Sequence, residues 1–145
     1  MKKFLIIFFL ISACGYQPLY NTDPFKVEFN KINLSGNIKI NRKVTSLLGI
    51  KETNNAIGNQ ISIYSSKSIN ETSKDAKGQP LTYRTNINIT IEIKEQNKET
   101  KTKSFNESFS YNNIENKYDL SSYQKDVEDN LIEKIAEDII IFINF

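Results

Sequence analysis

Only one side chain in this chain stands out as a nucleophile. Cys14 is the sole cysteine, and neither histidine nor tryptophan occurs. A lone thiol has no intramolecular disulfide partner. Without imidazole, a Ser-His-Asp or Cys-His pair cannot be assembled, and the usual zinc ligand sets are out of reach. An enzyme built from this chain would have to run on carboxylates or lysines alone. We therefore expect no catalytic residues, no metal centre and no cofactor. The chemistry left to Cys14 is its own modification.

The residues around it specify which modification. Lys2 and Lys3 form a basic start, residues 4–11 are apolar, and Ser12 and Ala13 supply the small side chains a signal peptidase requires. The apolar run is too short to cross a bilayer core, which takes ~20 helical residues. Residues 1–13 thus read as a signal. The sequence Leu10-Ile-Ser-Ala-Cys14 resembles a bacterial lipobox, in which the thiol is alkylated with diacylglycerol and cleavage leaves Cys14 at the new N-terminus. One acyl chain binds a membrane only marginally, each methylene adding ~0.8 kcal/mol, whereas several chains anchor stably. Gly15, where an aspartate would favour inner-membrane retention, resembles an outer-membrane address. Pro18 and Pro24 punctuate an extended tether over 14–24. A single domain follows over 25–145.

Net charge is +2, from 19 basic and 17 acidic residues. That balance points to no nucleic acid and to no strongly acidic ligand. Hydrophobic residues make up 39% of the chain, and the mean hydropathy is −0.45. A chain of this length can bury a real core, though its composition sits toward the polar end.

Hydrophobic periodicity orders that domain. Val27, Phe29, Ile32 and Leu34 share one face of a strand over 25–34 if a bulge falls near Asn30 and Lys31. Gly36 ends it, and Ile38 and Ile40 lead in extended form to a helix capped by Asn41. Val44, Leu47 and Leu48 form the helix stripe, and Gly49 closes it. Residues 53–59 read as loop. From Gln60 the period becomes two, with Ile61, Ile63, Ser65, Lys67 and Ile69 on one side. Residues 73–80 form a charged turn in which Gly78 takes positive φ. Tyr83, Ile87, Ile89, Ile91 and Ile93 then alternate with polar residues, as expected of a sheet covered on one side. A solvated hairpin over 94–103 leads to a strand marked by Phe105, Phe109 and Tyr111. Glu107 shares their parity and needs a bulge or an edge to escape. Ser121 and Gln124 fit a capping box for a long helix to Phe142, whose stripe runs Tyr123, Val127, Leu131, Ile135 and Ile139. The terminal run of isoleucines and Phe142 is too short for a membrane span and reads as core. These elements predict an α+β, two-layer sandwich: a four-stranded mixed or antiparallel sheet with two helices on one face.

The opening Cys14-Gly-Tyr-Gln-Pro-Leu-Tyr20 resembles the start of the alphaproteobacterial LPS-assembly lipoprotein family, LptE. The charged hairpin before Tyr83, the strand over 105–111 and the acidic C-terminal helix are similar to that family in pattern. The resemblance implies a lipoprotein on the periplasmic side of the outer membrane that plugs the LptD barrel, supports its assembly and assists lipopolysaccharide insertion. It also implies binding of lipopolysaccharide at the central hairpin tip, where Lys74 and Lys77 are the basic residues here and the family's arginine position falls at Ala76. The alternative reading is a free-standing lipoprotein that carries a lipid or an envelope polymer. A plug would present polar sheet rows to a barrel lumen, whereas a carrier would need an apolar cavity.

Overall fold

A computed structural model describes residues 28–53 and 58–144. The signal, Cys14, the tether and Val27 lie outside the described residues, as does part of the 53–59 loop. The chain runs β1 (Glu28–Phe29), β2 (Lys31–Gly36), α1 (Ile38–Leu47), β3 (Lys51–Glu52), β4 (Gln60–Lys74), β5 (Pro80–Lys94), β6 (Lys101–Asn112) and α2 (Lys117–Asn144). β5 is the spine of the main sheet. Its inward residues Ile87, Ile89 and Ile91 are wholly buried and Ile93 nearly so, each isoleucine contributing about 1.5–3 kcal/mol of burial.

The main sheet has the order β2-β4-β5-β6. β4, β5 and β6 form an antiparallel meander joined by two hairpins, while β2 lies parallel to β4. A parallel pair needs a crossover, and α1 lies within it. The expected mixed sheet with two helices is the fold observed.

The N-terminal strand divides where a bulge was expected. Asn30 separates β1 from β2, its amide donating to Asn59 O at 2.9 Å. β1 pairs with β3 in a small parallel ladder, and β2 enters the main sheet. Phe29 is buried and Ile32 packs against the core, but Leu34 is 42% exposed. Leu34 was expected inside. It lies on the edge strand, with no further strand beside it.

α1 starts earlier than expected. Asn37, not Asn41, is the N-cap, its Oδ1 accepting from Lys39 N at 3.1 Å and Ile40 N at 3.3 Å. Gly36 sets this start. It has φ +83°, and a Cβ there would lie 2.0 Å from Ser65 O, so only glycine passes so close to β4. The amide of Asn37 then donates to that same oxygen at 2.9 Å. Ile38 and Ile40 are therefore helical. Asn41 is buried on the inner face with Ile40 and Val44, and Leu48 packs beside them while Leu47 is exposed. Gly49, at φ +61°, closes the helix as expected.

α2 also begins before its expected cap. Asn116 Oδ1 accepts from Tyr118 N at 2.9 Å, so Ser121 lies inside the helix. The apolar stripe is as read: Val127, Leu131, Ile132, Ile135, Ala136 and Ile139 are buried, and Phe142 packs edge-on to Phe105 at 5.9 Å. Tyr123 is the exception, lying at the stripe's margin. Ile141 is exposed, and among the described residues no helix is long and apolar enough to cross a membrane.

Lysines tie the layers together. Lys43 of α1 reaches Asp129 at 2.7 Å and Glu133 at 3.4 Å on α2, and Lys67 of β4 reaches Glu128 at 2.6 Å. Glu107, on the inward parity of β6, is met by Lys134 at 2.9 Å. Its escape comes from an edge position and a helix lysine rather than from a bulge.

Candidate functional site

Both helices lie against one face of the sheet, which leaves the other face open. Strand alternation determines what it carries. β4 presents Ser62, Tyr64, Ser66, Ser68, Asn70 and Thr72; β5 presents Thr82, Arg84, Asn86, Asn88, Thr90 and Glu92; β6 presents Thr102, Ser104, Asn106, Ser108 and Ser110. Hydroxyls and carboxamides dominate, and they bond to one another across the strands. Asn86 Nδ2 donates to Ser68 Oγ at 3.3 Å, Asn33 Nδ2 to Ser62 Oγ at 3.4 Å, and the hydroxyls of Thr90 and Ser104 hydrogen-bond at 2.8 Å. Arg84, the cation of this face, donates from its Nε to Ser110 Oγ at 2.9 Å. Neutral hydrogen bonds of this kind contribute about 0.5–1.5 kcal/mol each. They readily exchange for bonds to another polar surface.

This face is made of hydrogen-bonding groups. It lacks imidazole and thiol, and among the described residues no group of three or more carboxylates could hold a metal ion.

The tip between β4 and β5 is a separate feature. Asp75 Oδ1 accepts from Lys77 N and Gln79 N, both at 2.8 Å, and Gly78 takes φ +79° with open space around it. The two lysines singled out from the sequence sit differently. Lys74 ends β4 with its ammonium 2.9 Å from Glu71, whose hydrogen bond and charge raise the lysine pKa above its ordinary value. Lys77 lies in the turn itself, exposed. Glu71 and Asp75 balance much of the basic charge there. Ala76 is at the apex, adding no cation.

A second feature was missed from sequence. A cleft of about 310 Å³ lies between the outer strand β6 and α2, lined by Phe109, Tyr123, Asp126, Val127 and Leu131 among others. The parity of Phe109 matched the core, yet it is 48% exposed. Nothing local in the sequence shows that β6 is the last strand of the sheet.

Comparison with solved structures fits this geometry. Rare lipoprotein B from Shewanella oneidensis aligns with a TM-score of 0.62 at 14% identity, over 79% of this chain and 94% of that one. The fold is shared with solved lipoproteins. Lipoprotein B from Nitrosomonas europaea aligns at 0.58 with 7% identity, covering 82% of this chain and 86% of that one. A minor lipoprotein from Acinetobacter baumannii aligns at 0.50 with 13% identity, covering 77% and 88%. No family model and no curated protein matches the chain.

Proposed function

We propose that this chain is an outer-membrane lipoprotein, anchored through Cys14 on the periplasmic side, whose domain seats in the lumen of the LptD barrel. There it supports barrel assembly and assists lipopolysaccharide insertion into the outer leaflet. The role is one of binding, not catalysis. The observation that carries this reading is the open sheet face of serine, threonine and asparagine. The lumen of a large membrane barrel is polar. A face on which hydroxyls and carboxamides far outnumber the charges of Arg84 and Glu92 can exchange water for such a wall at modest desolvation cost. The shared fold with solved lipoproteins and the lipobox-like run at Cys14 support the anchor.

The alternative, a free-standing carrier of a lipid or envelope polymer, requires an apolar cavity. Between the described layers the isoleucines of β4, β5 and α2 fill that space themselves, and the cleft between β6 and α2 is lined by Glu107, Asp126, Asn130 and Lys134 as well as by apolar side chains, so the plug is favoured.

The test is co-purification of the detergent-solubilised full chain with the barrel. Wild type is expected to bring down a stoichiometric large barrel, and Cys14→Ser to be lost from the outer-membrane fraction. The double variant Lys74→Glu, Lys77→Glu should fold and bind the barrel normally while losing lipopolysaccharide. Absence of any barrel would overturn the plug, and unchanged lipopolysaccharide binding would remove the tip from lipid handling.

A further inference from the structure

Among the described residues, β6 is the long strand whose outer edge is neither paired nor blunted. The other open edges are managed. β2 is short, and β4 beyond Ser65, where β2 ends, is broken by irregular pairing between Glu71 and Lys74 and closes on the exposed pair those two residues form. β6 instead holds unbroken register with β5 from Lys101 to Asn112 and contains no proline. Two of its three charges, Lys103 and Glu107, are engaged on the covered face, and Lys101 stands at its start. Lys103 lies 5.0 Å from the Phe105 ring and 5.5 Å from the Phe142 ring, and Glu107 is bound to Lys134. Over 104–112 no free charge guards the edge. Natural sheets seldom leave such an edge unprotected, because it templates another strand.

The cleft lies directly beside this edge. Phe109 is 48% and Tyr123 38% exposed, and with Val127 and Leu131 they give it apolar walls. Asp126 stands in the same lining, exposed and without an ion-pair partner among the described residues. The nearby lysine, Lys134, is already committed to Glu107.

We propose that β6 receives an added strand: an extended polypeptide segment of a partner protein. It bonds along 104–112 and places one large apolar side chain between Phe109 and Tyr123, with a lysine or arginine two residues away facing Asp126. The chemistry dictates each part. Alternate residues of an antiparallel strand direct N–H and C=O outward, and those groups are satisfied by another backbone. Guest side chains two apart lie on one face, so one fills the cleft while its neighbour reaches along it. The unpaired carboxylate selects a cation. A lipid tail could enter the cleft but would leave the edge unbonded, and Asp126 repels a phosphate. A second copy of β6 is a poor guest, because the residues two away from its own Phe109 are Glu107 and Tyr111, neither of them a cation for Asp126. The proposal stands independently of the barrel reading.

The probe is a synthetic peptide of about ten alternating threonines and serines carrying one phenylalanine and, two residues on, one lysine. With the full chain in detergent, anisotropy should show saturable binding, and hydrogen exchange should slow at the amides of 104–112. N-methylating alternate peptide bonds of the probe should weaken it at least about tenfold. Asp126→Lys should weaken the lysine peptide about tenfold and strengthen its glutamate counterpart. Asp126 is exposed, so the fold is expected to survive, and circular dichroism checks this. The proposal is overturned by no saturable binding, by equal binding of the N-methylated probe, or by indifference to the charge swap. Protection of 104–112 that rises with protein concentration in the absence of peptide overturns it too, and assigns the edge to self-association.

Discussion

Asn41 shows how far a residue's type can mislead when its neighbours are distant in sequence. Asparagine before an apolar stripe is a natural cap, but here its carboxamide bridges two strands. Nδ2 donates to Ser35 O at 2.8 Å, and Oδ1 accepts from Ser65 Oγ at 2.6 Å. Asn41→Ala should therefore lower stability by about 1–3 kcal/mol, the cost of stranding buried polar partners; urea unfolding measures it. Glu107 offers a second test. Its hydrogen bond and charge raise the pKa of Lys134 above the ordinary 10.5, so the folded state holds that proton longer than the unfolded chain. The pair's contribution is full below the ordinary value and fades as pH rises through the raised one. Unfolding midpoints of wild type and Glu107→Gln should differ near neutrality, with wild type the more stable, and converge in strong alkali.

At the scale of elements, periodicity was legible and boundaries were not. The stripes of β5 and α2 could be read because each alternation repeats many times, and burial follows it closely. Helix starts turn on one hydrogen bond among several candidate caps. Asn37 prevailed over Asn41 because Gly36 brings the chain against β4, and Asn116 prevailed over Ser121. Inner and outer positions of α2 should separate clearly. Ile135→Ala and Leu131→Ala should each cost about 2–5 kcal/mol, with Ile135, which is wholly buried, toward the upper end. Glu133→Ala, on the solvated side and 3.4 Å from Lys43, should cost less than about 1 kcal/mol. Thermal or urea denaturation of the three variants decides this.

In the whole molecule, the open polar face was visible from alternation alone, because its rows are written in every second residue of β4, β5 and β6. The unguarded edge was not, because strand order depends on long-range pairing that no local pattern encodes. The tip was visible in outline, with Gly78 in its expected conformation, but the offset of the two lysines by Glu71 and Asp75 depends on the turn that brings these groups together.

The parallel pairing of β2 with β4 has a consequence in time. The β4-β5-β6 meander closes through short hairpin loops, whereas β2 meets β4 only after α1 and the loop beyond it are traversed. Contacts of large sequence separation form late because loop closure must precede them. The meander should thus form the folding nucleus and the N-terminal third should dock afterwards. Ile89→Val would then mainly slow refolding, and Val44→Ala would mainly hasten unfolding, as stopped-flow chevrons can resolve. Until that docking, the inner edge of β4 stands open like the outer edge of β6. The interval in which a newly made chain can pair with the wrong strand is set by how quickly its N-terminal third arrives.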